Sequence, residues 1–209
     1  MLTLYFSPGA CSTASHIGIE ECGAAYTEHP VYIAKGEQKT AEYAKINPRG
    51  KVPALAVDDR IITENTAILT YLGRRFPESG LLPADPVDEA NCIGTMAWFS
   101  NIVHPSYQRI MRPERFAEGE AGMANVKEMG RKSFWANLEE IDGMLAGREW
   151  FIGGKFSAAD AYGLVFYGWA TRSEFPVSKL ANYTAFKERM LKRPKVMKVL
   201  QSEQSVLVK

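Results

Sequence analysis

Cys11 stands directly after the Pro8-Gly9 pair and directly before a stretch that reads as a helix, Ser12 to Cys22. Free amide groups and the macrodipole at a helix start stabilise a thiolate, which predicts a thiol pKa below the usual value of about 8.5. The competing reading is a buried small hydrophobe, the common fate of a free cysteine. Ser12 and Ser15 offer hydroxyls beside it, as caps or as part of the chemistry. Cys11 has no partner in reach. A helix of eleven residues separates it from Cys22 by roughly 16 Å, against a disulfide limit of roughly 7 Å. Cys92 is the third and last cysteine, and no CxxC occurs, so a dithiol redox site and a cysteine zinc cluster are both excluded.

Two further stretches carry possible chemistry. In "NPRGKVPAL" a proline falls one residue into a strand pattern, which places it at an edge or after a cis bond. We expect the Val52-Pro53 bond to be cis, leaving the Val52 N–H and C=O for an extended, peptide-like ligand. In "TEN", Thr63 to Asn65, a carboxylate and an amide open another helix. Helix amides can hold a ligand carboxylate while Glu64 faces an ammonium, the two ends of an amino-acid head group. N-capping by Glu64 or Asn65 is the alternative.

The elements that must position these residues follow from pattern. "LTLYF" reads as a strand, Ser12–Cys22 as a helix stopped by Gly23, and "EHPVYIA" as a strand with Val31 and Ile33 on one face. "TAEYAKI" is a short helix. "VPALAV" and "RIIT" form a hairpin around Asp58-Asp59, and "NTAILTYLGRRF" is a helix with Ile68, Leu72 and Phe76 on one stripe. The order β-α-β-α-β-β-α predicts a small α/β unit whose first βαβ is parallel. "PESGLLPADP", rich in proline, reads as a boundary, giving units 1–78 and 87–209 with a linker over 79–86. Beyond it, four long stretches read as helices: "PVDEANCIGTMAWFSNIV", "MANVKEMGRKSFWANLEEIDGML", "SAADAYGLVFYGWATR" and "YTAFKERMLKRPKVMKVLQ". Ser157–Asp160 resembles a capping box ahead of a helix apolar nearly all round, which should be the buried centre of an all-α unit.

Composition narrows the function classes. With 46% hydrophobic and 23% charged residues, the 209-residue chain has the profile of an ordinary globular protein, and its net charge of +1 suggests neither nucleic acid nor an acidic membrane as partner. No apolar run reaches membrane-spanning length and the N-terminus enters a strand pattern directly, so a cytoplasmic protein is expected.

Individually these signals are weak; their order is specific. "SPGACS", "NPRGKVPAL", "ITEN" and "FSAADAY" occur in the sequence in which the bacterial beta-type members of the cytosolic glutathione transferases carry similar motifs, and the resemblance covers essentially the whole chain. It implies a thioredoxin-like N-terminal domain, a helical-bundle C-terminal domain, and a homodimer that conjugates the glutathione thiol to small hydrophobic electrophiles. Glutathione would be a co-substrate, with no metal and no tightly bound cofactor. By resemblance, Cys11 and Ser12 face the glutathione sulfur, Val52 pairs with its cysteinyl backbone, and Glu64 and Asn65 hold its γ-glutamyl end. Lys35 and Lys51 are expected on the glutathione side, Lys35 near the glycyl carboxylate. "SNIVHPSY" resembles the segment where such members carry a His-Lys pair at the site, which puts His104 beside Cys11 and Ser12 as a catalytic residue, unless it is a helix-surface or interface histidine. Here Pro105 follows it, so the second cation is missing and a kink is predicted. Tyr107, Arg109 and Arg112 are expected to line the electrophile pocket, unless they form a solvated face or a subunit contact. Trp98, Phe99, Trp135, Trp150 and Trp169 are expected in packing, with Phe99 reaching toward the cleft, and His16 and His29 are expected to be structural. Two other readings stay open: thiol transfer through Cys11, and a non-enzymatic ligand- or protein-binding member.

Overall fold

The computed structural model describes residues 1–208. Four strands, β1 (Leu2–Phe6), β2 (Thr27–Pro30), β3 (Ala54–Val57) and β4 (Arg60–Thr63), form one sheet in the order β2-β1-β3-β4. β1 and β2 are parallel, as the βαβ order requires, and Tyr5 lies opposite both His29 and Ala54. β3 and β4 make the hairpin, with Asp58 at φ 54° in its turn. Helices α1 (Thr13–Cys22), α2 (Ala41–Ile46) and α3 (Asn65–Arg75) complete the thioredoxin-like domain. Gly23, at φ 66°, ends α1 as the sequence predicts.

β2 is shorter than expected. The ladder continues one bond past Pro30, from the Val31 N–H to the Phe6 carbonyl at 2.6 Å. The chain then coils into a 3-10 turn over Ile33–Lys35 that closes on Gly36 at φ 77°. Val31 is core; Ile33 is not its strand-mate but part of the turn that lifts Lys35 toward the site.

The second domain contains α4 (Pro86–Trp98), α5 (His104–Met111), α6 (Glu120–Met144), α7 (Ala158–Arg172), α8 (Ala181–Leu191) and α9 (Pro194–Ser202). The expected single helix "YTAFKERMLKRPKVMKVLQ" is two, because Pro194 cannot continue α8 and instead starts α9 at its first helical position. α4 runs into α5 through a π-helical turn, Phe99–Val103. The proline-induced irregularity is thus absorbed just ahead of His104-Pro105 as a widened turn, a common way to accommodate a lost N–H.

α7 is buried on nearly every side, as its sequence predicts. Its N-terminus is fixed by Asp160, whose carboxylate accepts the Ser157 N–H (2.7 Å), the Ser157 hydroxyl (2.9 Å) and the Phe151 N–H (3.0 Å). One core runs through both domains, from Leu4, Ile17 and Leu69 across to Phe99, Phe134 and Phe166. α1 packs on both α7 and α9, so the helix behind Cys11 is clamped by the second domain.

Candidate active site

The loop Ser7–Cys11 turns through Gly9 at φ 69°, and the Ala10 N–H donates to the Ser7 carbonyl at 3.0 Å. That turn presents Cys11 two residues before α1. Its thiol donates to the Val52 carbonyl across 3.5 Å, and the Val52-Pro53 bond is cis. The Val52 carbonyl is therefore occupied by Cys11. Only the Val52 N–H is without a partner among the described residues.

The expectation of an acidic thiol is corrected. Burial of the sulfur pushes Cys11 up to about 12 and outweighs every opposing influence. The Asn65 side chain and Lys51 pull it down, while the Glu64 charge pushes it further up. Desolvation outweighs the helix terminus here, so the free protein holds Cys11 as a neutral thiol that serves as a hydrogen-bond donor. Cys22, pushed up to about 11, and Cys92, also raised, are held by burial in the same way.

Ser12 does not face the site. Its hydroxyl is fully buried, accepting the Ser7 N–H (3.0 Å) and donating to the Ser7 carbonyl (3.1 Å), which braces the turn. Asn65 is also turned inward. Its amide donates to the Cys11 carbonyl at 3.0 Å and its oxygen accepts the Ser15 hydroxyl at 2.7 Å. The side chain positions Cys11 instead of offering itself to a ligand. Glu64 is no cap: it makes no capping bond, adopts φ 73°, and holds an exposed carboxylate 3.9 Å from Arg49. A non-glycine residue in that backbone region is uncommon and concentrates at functional sites.

A cleft of about 820 Å³ separates the two domains. Cys11, Lys35, Lys51 and Val52 line one wall; His104, Tyr107 and Arg112 line the other. Ser12, Glu64, Asn65 and Arg109 do not line it. Arg109 is on the far side of α5, over the Phe116 ring at 5.6 Å and against α6. Gly130 permits this approach: a Cβ there would stand 2.8 Å from the Arg109 Cβ. His104 is neutral, pulled down to about 4 by burial and then by the Lys51 charge. Its ring packs on Trp169 (4.9 Å between centroids), and its Nε2 lies 3.2 Å from Gln108 Nε2, an amide donor, which places the imidazole proton on Nδ1.

Sequence reasoning missed Gln108, Met111, Arg115, Trp169 and Arg172, all of which line the cleft. Gln108 and Met111 were within reach, since residues 104, 107, 108 and 111 share one face of α5 and Arg109 does not, whereas Arg115 follows in a separate 3-10 turn. Trp169 and Arg172, one turn apart at the end of α7, needed the tertiary fold. Trp169 Nε1 (3.0 Å) and Arg172 Nη1 (3.2 Å) both donate to the Gly9 carbonyl, and Trp169 stacks on Tyr107 at 4.5 Å. Phe99 does not reach the cleft; it is fully buried against Phe151, Tyr162 and Phe166.

A thioredoxin-like domain with a cysteine just ahead of its first helix, a cis proline opposite it and a cleft closed by a helical domain define the glutathione-transferase class of architecture. Comparison with known proteins places the chain within it. Residues 1–74 match the family described as "Glutathione S-transferase, N-terminal domain" and residues 96–194 its C-terminal domain. The chain is 32% identical to glutathione S-transferase GstA of Escherichia coli O157:H7, over 97% of this chain and 98% of that one. A glutathione transferase homolog from Sulfitobacter, solved with bound glutathione, superposes with a TM-score of 0.91 at 31% identity, covering 97% of this chain and 98% of the other. A bacterial beta-class glutathione S-transferase from Sphingomonas chungbukensis gives a TM-score of 0.85 at 30% identity, covering 96% and 98%. The chain belongs to the glutathione S-transferase family.

Proposed function

We propose that the cleft binds glutathione on its thioredoxin-like wall and joins its sulfur to an electrophile held by the helical wall. The observation that carries this reading is the Cys11 thiol, bonded to the Val52 carbonyl ahead of the cis proline on the wall of the cleft. The Val52 N–H suits the peptide backbone of glutathione, Lys35 and Lys51 its carboxylates, and Glu64 with the α3 amides its γ-glutamyl end. Ser12 and Asn65 act behind this surface, holding the Cys11 turn in place. A thiol that stays protonated can turn from the Val52 carbonyl to donate to the glutathione thiolate, favouring that anion. The thiolate then attacks the electrophilic carbon: a C–S bond forms, the leaving group departs with its electron pair, and the thiol proton has already passed to solvent. His104, neutral in the cleft wall, and Tyr107 shape the acceptor side.

Thiol transfer by Cys11 itself requires a thiolate that burial disfavours, so it is the weaker reading. The test is turnover of a chloronitroarene with glutathione beside a mixed-disulfide reduction assay, in wild type and Cys11→Ala. Loss of one donor to the sulfur anion should lower conjugation kcat/KM by about 10- to 100-fold without removing it. Complete loss, with glutathione still bound, would make Cys11 the essential activator or the nucleophile.

The same reading includes a homodimer, a cytoplasmic location and a detoxifying role. The exposed Val87, Ile102 and Met129 on the helical domain support a subunit contact, and three free thiols support a reducing compartment.

A further inference from the structure

The charge in the cleft exceeds what glutathione needs. Six basic side chains line it, Lys35, Lys39, Lys51, Arg112, Arg115 and Arg172, against one carboxylate, Glu114. Glutathione brings two carboxylates and one ammonium, which Lys35, Lys51, the α3 amides and Glu64 can answer. Arg112, Arg115 and Arg172 all come from the helical wall, where the second substrate must lie. None of the three makes an ion pair with a protein carboxylate among the described residues. Arg172 has neutral partners only, the Gly9 carbonyl and the Tyr107 hydroxyl.

The space continues beyond the cleft. A groove of about 460 Å³ shares Gln38, Lys39, Gly50, Lys51 and Arg115 with it and adds Arg49. The cleft also carries apolar surface from Ile33, Met111 and Trp169, the last bonded to the Gly9 carbonyl in the turn before Cys11. An acceptor fitting this surface has an apolar reactive end and an anionic far end. An uncharged apolar acceptor would leave the arginines without a counter-charge.

We infer that the second substrate is an anion: an apolar electrophile bearing a carboxylate or similar oxyanion remote from its reactive carbon, recognised by Arg112 and Arg115. This rests on the conjugation reading for its placement and narrows the expected hydrophobic electrophile to an amphiphilic one. In a halide displacement the glutathione sulfur forms the C–S bond, the carbon–halogen bond breaks, and halide leaves with the electron pair. The anionic group is held by the arginines and takes no part.

The test compares a chlorodinitrobenzoate with its methyl ester, which differ only in that charge. Rates are normalised to the spontaneous reaction with glutathione, and the two preformed glutathione conjugates are titrated calorimetrically. The acid conjugate should bind about tenfold tighter than the ester conjugate, as one charge-assisted contact gives. Raising the salt concentration should shrink that ratio, because the arginines are exposed. In Arg112→Gln/Arg115→Gln the ratio should fall toward one. Equal affinities, a tighter ester, or a ratio that survives the double substitution would overturn the inference. If neither electrophile is turned over and the binding ratio holds, the conjugation reading fails and the anion site stands. If both are turned over and bind alike, the anion site fails and conjugation stands.

Discussion

A cysteine at the start of a helix is usually read as acidic, and Cys11 shows where that rule stops. The helix terminus contributes, but the sulfur is buried, and the desolvation of a thiolate outweighs the dipole. Sequence reveals residue type and local position; it does not reveal how much protein covers an atom. The same limit explains Ser12 and Asn65, whose positions were legible but whose hydrogen bonds point inward to Ser7, Ser15 and the Cys11 carbonyl. Glu64 is different. Its exposed carboxylate and φ of 73° leave it available at the mouth of α3. Glu64→Ala should weaken glutathione binding by about 1.5–3 kcal/mol, measured by calorimetry, as expected for a charge-assisted hydrogen bond. An unchanged affinity would remove Glu64 from the site.

Strands, helices and the capping box were legible in pattern because each depends on neighbours in sequence. Element ends were less so. β2 stops where the chain needs Lys35 in a turn, and α8 stops where Pro194 requires it, within a run whose apolar period continues. The π turn before His104 could be placed only as a kink. Within α7 the N-terminal lock has a measurable weight. Asp160→Ala should destabilise the protein by about 2–4 kcal/mol in urea unfolding, since it strands the buried Ser157 and Phe151 amides. A change below about 0.5 kcal/mol, the range of an unconnected surface site, would contradict that role.

Across the whole molecule, the far end of the chain reaches the Cys11 turn, and nothing in the sequence pattern signalled it. The buried carboxylate of Glu203, past the end of α9, accepts the Gly9 N–H (2.9 Å), the Thr13 hydroxyl (2.6 Å) and His16 Nδ1 (2.8 Å). His16 was legible as structural, but its partner lies 187 residues away. Glu203→Ala should destabilise folding by about 2–4 kcal/mol and loosen glutathione binding together, because the same bonds hold α1 and the loop before Cys11. Destabilisation with unchanged glutathione affinity would confine Glu203 to folding. The two walls and this clamp serve one purpose in the account: to meet the glutathione sulfur with a neutral Cys11 thiol. The most direct test is ultraviolet titration of thiolate in the protein with and without glutathione. All three cysteines are raised by burial, Cys11 to about 12 and Cys22 to about 11, so the protein alone should show no thiolate at neutral pH. Adding glutathione should produce about one thiolate per chain, titrating below free glutathione, and Cys11→Ala should shift that titration upward by about 1–2 units. A thiolate titrating near neutrality before glutathione is added and missing from Cys11→Ala, or no thiolate in the complex, would contradict it.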